Sequence, residues 1–224
     1  GNLTITGAAT FITTAAGRNI ILDQSGNVFT STVTMQAGNG SNAAFGNITF
    51  VDSGAVDFVS SASTDDGDLY IKSSGAVGGD LSITATTGNI TQGVAVVVTG
   101  TTTLKATTSN DITLDNTSNN FGAVKIPTGN DVTLVDAGDI DLGVSAVSGT
   151  YAVTATSGNI TDSGDLIITG AATFITTAAG SDILLDESGN VFTSTVTMQA
   201  GDGSADFGNI TFVDSAAVRL HTSA

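Results

Sequence analysis

Oxygen ligands are the only chemistry this sequence carries in quantity. Of its 224 residues 20 are Asp and one, Glu187, is Glu; His221 is the single His and Cys is absent. Hard cations want several oxygen ligands, and Asp-Gly turns supply side-chain and carbonyl oxygens together, so calcium is the chemistry to weigh first. Two tight acid runs qualify by spacing: DDGD, with Asp65, Asp66 and Asp68, and DAGDID, with Asp136, Asp139 and Asp141. Neither follows the G-G-x-G-x-D nonapeptide of calcium-binding β-rolls or the D-x-[DN]-x-[DN]-G loop. Solvated turn aspartates, which also keep a protein soluble, account for the same residues. The expectation is no assigned metal or cofactor site, with Asp65, Asp68, Asp136, Asp139 and Asp141 as the calcium candidates.

Catalysis finds less support. General acid–base work wants a tunable His or a carboxylate pair in a cleft. His221 stands four residues from the end of the sequence, and Glu187 falls in a predicted turn. A glycosidase needs two carboxyls flanking a sugar bond, and neither acid run has an Arg near it in sequence. GAVGGD (Gly75–Asp80) lacks the strand, helix and Lys of a phosphate loop and reads as a bend. Thr-x-Thr pairs at Thr4/Thr6, Thr84/Thr86, Thr154/Thr156 and Thr195/Thr197 are scattered, and strand propensity explains them. Phe11, Phe29, Phe50 and Phe58 fall in predicted strands and read as core, while Tyr70 and Tyr151 are left as surface contacts. No enzyme is expected.

Net charge is −16, from 21 acidic residues against five basic ones, Arg18, Lys72, Lys105, Lys125 and Arg219. Phosphate binding needs clustered Lys and Arg, so nucleic acid is not an expected partner. The longest apolar run, Val94–Val98, is far below the roughly 20 residues of a membrane-spanning helix, so no membrane insertion is expected. With 40% hydrophobic residues the chain still has apolar surface for a core. It starts with Gly1 and shows no leader pattern, so both ends read as cuts within a longer protein.

Repeats decide how these residues are positioned. GNLTITGAATFITTAAGRNIILDQSGNVFTSTVTMQAGNGS returns as GDLIITGAATFITTAAGSDILLDESGNVFTSTVTMQAGDGS, with Gly1 matching Gly164 and 34 of 41 positions identical. Residues 1–163 therefore form one full tandem unit, and 164–224 begin a second within one continuous body. A weaker repeat divides the unit at about residue 93. TATTGNIT (Thr84–Thr91) recurs as TATSGNIT (Thr154–Thr161), DITLDNTSNNF (Asp111–Phe121) parallels DILLDESGNVF (Asp182–Phe192), and VTLVDAGDIDL (Val132–Leu142) echoes ITFVDSGAVDF (Ile48–Phe58).

The pieces are strands. Leu3/Ile5, Ile48/Phe50, Leu81/Ile83, Ile112/Leu114, Val132/Leu134 and Ile183/Leu185 place apolar residues two apart with Thr, Ser or Asp between. Gly-Asn, Ser-Gly and Gly-Asp bound them and are expected to supply positive φ at tight turns. Tandem repetition favours a solenoid, in which each coil buries its inward residues against its neighbours. The expectation is an all-β, right-handed parallel β-helix of about 20 residues per coil, about eleven coils in all. Asn at the GNI corners is expected to stack in hydrogen-bonded ladders, and Pro127 to sit at a corner because it cannot donate to a strand ladder.

GNLTITG, TATSGNIT, DITLDNTSNNFGAV and VTLVDAGDIDLG resemble the repeats of filamentous-haemagglutinin-like bacterial adhesins across essentially the whole chain. That resemblance implies a right-handed parallel β-helix, export through an outer-membrane partner, and roles in adhesion, biofilm cohesion or carrying a distal effector. The functional expectation is a rod-like segment of a large secreted or cell-surface adhesin or biofilm-matrix protein. Its partners would be a host or neighbouring cell surface, polysaccharide or matrix. The alternatives are a carbohydrate-binding or carbohydrate-active β-helix, or a self-associating extracellular fibre subunit, since uncapped solenoid ends are open sheet edges.

Overall fold

Alternating inward apolar and outward hydroxyl residues, in runs of two to five between Gly-Asx corners, leave the chain little choice but short strands. The computed structural model describes residues 1–39, 45–60, 68–72, 77–204 and 206–216, and every regular element among them is a strand. The strands pair in parallel and stack as a β-solenoid. One long sheet runs through Ile20–Leu22, Ile48–Asp52, Leu81–Ala85, Val97–Lys105, Asn120–Gly129, Ile140–Val147, Ile160–Asp162, Ile183–Leu185 and Ile210–Phe212 in chain order. The opposite sheet has ten strands, from Ala9–Ile12 to Val196–Gln199. Its order follows the chain except at Asp68–Ile71, which lies between Val33–Gln36 and Val56–Phe58.

Register keeps like over like. Ile48, Leu81, Thr102, Val124 and Leu142 follow one another across the long sheet. Ile90, Ile112, Val132, Tyr151 and Ala172 do the same opposite. All of these are fully or almost fully buried, in one continuous core. At roughly 25 cal/mol per Å² of apolar surface removed from water, stacking coil on coil is the main stabilising term.

The 163-residue repeat is structural. Thr4 pairs with Val28 and Ile5 with Phe29 in the first unit; Ile167 pairs with Val191 and Ile168 with Phe192 in the second, the same registers 163 residues on. Ile20–Leu22 and its counterpart Ile183–Leu185 stand seven steps apart in the long sheet, so one unit is seven coils. The inner repeat behaves differently. TATTGNIT leads from the long sheet to the opposite one, whereas TATSGNIT leads from the opposite sheet to the long one. The copies are thus three and a half coils apart, and one block serves either face.

Three expectations change. Central coils take 18 to 23 residues, as Val124 over Leu142 and Ile160 over Ile183 show, but Ile20 to Ile48 takes 28 and Ile48 to Leu81 takes 33. The long sheet therefore makes eight steps of roughly 23 residues, fewer than eleven coils of 20 require. Pro127 is not at a corner: it lies exposed inside Asn120–Gly129. The register slips on both sides of that strand there, between Thr103/Lys105 and between Ile126/Gly129, and such bulges tolerate a missing N–H. Tyr151 is not a surface contact but fully buried, edge-on to Phe174 at 5.8 Å. Its place is that of Leu81 in the inner repeat, an inward position.

Candidate functional site

Gly-Asx-Ile is the corner unit, and each residue in it has a separate job. The Asx oxygen accepts the backbone N–H of the corresponding residue one coil on. Asn47 N donates to Asn19 Oδ1 (2.9 Å), Asp80 N to Asn47 Oδ1 (3.0 Å) and Thr101 N to Asp80 Oδ1 (2.9 Å). A second run joins Asn89, Asp111, Asp131 and Thr150 at 2.9, 3.2 and 2.7 Å. A third joins Asp139, Asn159, Asp182 and Asn209 at 2.7, 2.8 and 2.6 Å. The expected ladders are present, carried chiefly by backbone N–H donating to the side-chain oxygen, with side-chain rungs added from Asn47 Nδ2 to Asp80 Oδ2 (3.3 Å) and from Asn209 Nδ2 to Asp182 Oδ1 (3.1 Å). Only an acceptor oxygen is needed, so Asp serves as well as Asn, and Asn19 of the first unit is Asp182 in the second without loss of the rung.

The glycine before the Asx is there for close approach. A Cβ on Gly158 would stand 2.3 Å from Asp139 N, and one on Gly88 2.4 Å from Ala55 N. Positive φ, the expected reason for corner glycines, occurs among the described residues only at Gly17, Gly38, Gly180, Gly201 and Gly203.

A second corner buries its polar groups. Asn27, Asn119 and Asn190 are each at most 1% exposed and occupy equivalent places before a Phe. Each Oδ1 accepts a backbone N–H from the preceding coil: Leu3 to Asn27 at 2.9 Å, Val96 to Asn119 at 2.8 Å and Leu166 to Asn190 at 2.8 Å. Their own carbonyls accept from the following coil, from Ser53, Ala137 and Ser215. One Asn therefore pins three coils. Asn119 also exchanges hydrogen bonds with the Gln92 carboxamide at 2.8 and 2.9 Å and donates to Leu114 O and Val135 O. In the equivalent place Asn190 donates to the Asp162 carboxylate at 2.7 Å.

The calcium candidates separate across this framework. Asp65 lies outside the described residues, as does His221. Asp68 starts a strand and is 5% exposed. Asp136 is fully buried, with Oδ2 accepting Phe121 N (2.6 Å) and Oδ1 accepting Gly138 N (2.7 Å). Burial pushes its carboxyl above the usual value against those two hydrogen bonds, and the charge of Asp139 adds to the rise. Asp139 heads the third ladder, and Asp141 faces outward to accept from Ser163 Oγ at 2.7 Å. Among the described residues no three His, Cys, Asp or Glu side chains converge as a metal site would require. Glu187 lies in a turn, where its carbonyl accepts Asn190 N.

Sequence reasoning missed the Asp136 bracket, although its signal was present. Val-Asp-Ser/Ala recurs at Val51–Ser53, Val135–Ala137 and Val213–Ser215, and Asp52 and Asp214 accept Phe29 N and Phe192 N as Asp136 accepts Phe121 N.

Parallel coils, Asx ladders at the corners and buried Asn pins define a self-stacking β-solenoid repeat protein. A family model described as repeats of unknown function (DUF5649) matches residues 1–36, 45–127 and 129–199, and the chain belongs to that family. No curated protein and no solved structure matches it.

Proposed function

We propose that the chain is a rod-like spacer in a large secreted or cell-surface adhesin or biofilm-matrix protein, where it sets the distance between the cell and adhesive regions. It works without catalysis. The observation carrying this reading is that one 163-residue unit equals seven coils and returns to the same registers, so length grows by a fixed step with each unit. At about 4.8 Å per rung that step is about 34 Å. The likeness of the strand blocks to filamentous-haemagglutinin-like repeats supports the adhesin context, an extracellular location and an outer-membrane export partner. Polysaccharide, matrix or a neighbouring cell would be met by regions the rod presents.

Bacteria displaying a binding domain on two, four or eight units test the reading. Capture of a surface-tethered ligand should depend on reach, with the threshold tether length falling by about 34 Å for each added unit. Capture independent of unit number refutes the spacer role.

A further inference from the structure

In a chain with 21 acids, two lysines stand without a carboxylate partner on one face of the long sheet. Lys105 and Lys125 are both exposed, and neither forms an ion pair with a described residue. Register brings them together. Thr103 lies beside Lys125 and Lys105 beside Thr128 on adjacent strands, while Ser82 continues the row on the other side of Thr103 and Thr49 follows Ser82. Thr49, Ser82 and Thr103 thus form a file of half-buried hydroxyls on three consecutive rungs, and Lys125 stands on the fourth. They line an open groove of about 340 Å³ on the outer face.

The groove is arranged for an anionic, hydroxyl-bearing ligand. Rungs about 4.8 Å apart put one hydroxyl at each step, close to the length of one pyranose in an extended glycan. Lys105 is two residues along the strand from Thr103, so the two lysines stand on neighbouring rungs at the end of the file. The stem of Lys125 crosses Gly143, where an added Cβ would stand 2.7 Å from its Cγ; with no side chain there the stem lies flat on the sheet. Asp80, the acid at the groove edge, has both oxygens in the ladder, one accepting Thr101 N and the other Asn47 Nδ2. An ammonium with no carboxylate within ion-pair distance can make a charge-assisted hydrogen bond to a ligand carboxylate.

We infer that this groove binds an acidic polysaccharide, with the hydroxyl file of Thr49, Ser82 and Thr103 following the sugar backbone and Lys105 and Lys125 holding uronate carboxylates. The site is local to three or four coils and does not rest on the spacer reading; a rod of the expected length with no glycan affinity separates the two.

The test is calorimetric titration of the whole chain with hexagalacturonate, and with cellohexaose as the neutral probe. Hexagalacturonate should bind and cellohexaose should bind at least about tenfold more weakly. K105Q/K125Q should cost roughly tenfold or more, and 0.5 M salt should weaken the parent but barely affect the variant. Both side chains are exposed, so the double variant should melt with the parent, and S82V gives a second, uncharged test that should also lower affinity. No heat or shift at millimolar hexagalacturonate overturns the proposal. So does equal affinity for the two sugars, or undiminished affinity in K105Q/K125Q.

Discussion

Replacing Asn119 with Ala would remove the most connected pin in the middle of the rod. Its Oδ1 is the partner of the buried Val96 N–H at 2.8 Å, and its amide serves Gln92, Leu114 O and Val135 O. A buried N–H left without a partner costs about 1–3 kcal/mol, and the stranded Gln92 carboxamide and two carbonyls add a smaller amount, so a loss of about 3–4 kcal/mol is expected. For a domain of this size that is a fall in Tm of about 10 °C. Asn27→Ala is the matched control. Its amide serves only Leu3 N and Leu22 O, and the coil it holds on its N-terminal side is the first. In a one-dimensional stack an end coil frays without disturbing the rest, so the expected loss is about 1–2 kcal/mol. Thermal melts by circular dichroism and urea titrations of both variants make the comparison. Hydrogen exchange should show Asn119→Ala opening coils on both sides and Asn27→Ala only the first. Equal losses, or Asn119→Ala within about 0.5 kcal/mol of the parent, would refute the three-coil pin.

Other perturbations probe separate parts of the account. Asp136 has a folded pKa raised above its unfolded value, so its contribution is present at low pH and is lost as pH rises through the folded pKa. The stability gap between the parent and Asp136→Asn should widen on acidification, as read by urea midpoints from pH 7 down through the carboxylate range; a narrowing gap contradicts the burial argument. Gly158→Ala forces a Cβ to 2.3 Å from Asp139 N and should cost about 2–3 kcal/mol, whereas Gly17→Ala meets open space and should pay only for its positive φ of 66°. Tyr151→Phe should be neutral or slightly stabilising by melt, because the buried hydroxyl, which faces Ser145, makes no well-formed hydrogen bond. Chelator should leave the Tm unchanged, since Asp136, Asp139 and Asp141 are occupied by backbone N–H or Ser163 and not by one another; a calcium-dependent rise of several degrees would reopen the metal reading.

Most of the coil architecture was legible because it rests on local pattern. Pairs such as Ile112/Leu114 and Leu81/Ile83 announce one buried face, and the 163-residue repeat announces stacking. What escaped depends on which residues meet between coils. Asn119 and Gln92 are 27 residues apart, and nothing in either neighbourhood marks a buried amide pair. The face-swapping inner repeat was visible as sequence, but its three-and-a-half-coil length follows only from register. Tyr151 was misread by residue type, although alignment with Leu81 gave its orientation. Pro127 was misplaced because the bulge that accepts it is set by the neighbouring strands. The Lys105–Lys125 face could not be found from spacing, since it arises from two strands joined through a full coil.

The most direct measurement is small-angle scattering from chains of one, two and three 163-residue units. The account predicts a maximum dimension that grows linearly by about 34 Å per unit with an unchanged cross-section. Growth near the square root of unit number, as for flexibly linked beads, or near its cube root, as for a compact globule, would contradict a continuous seven-coil rod.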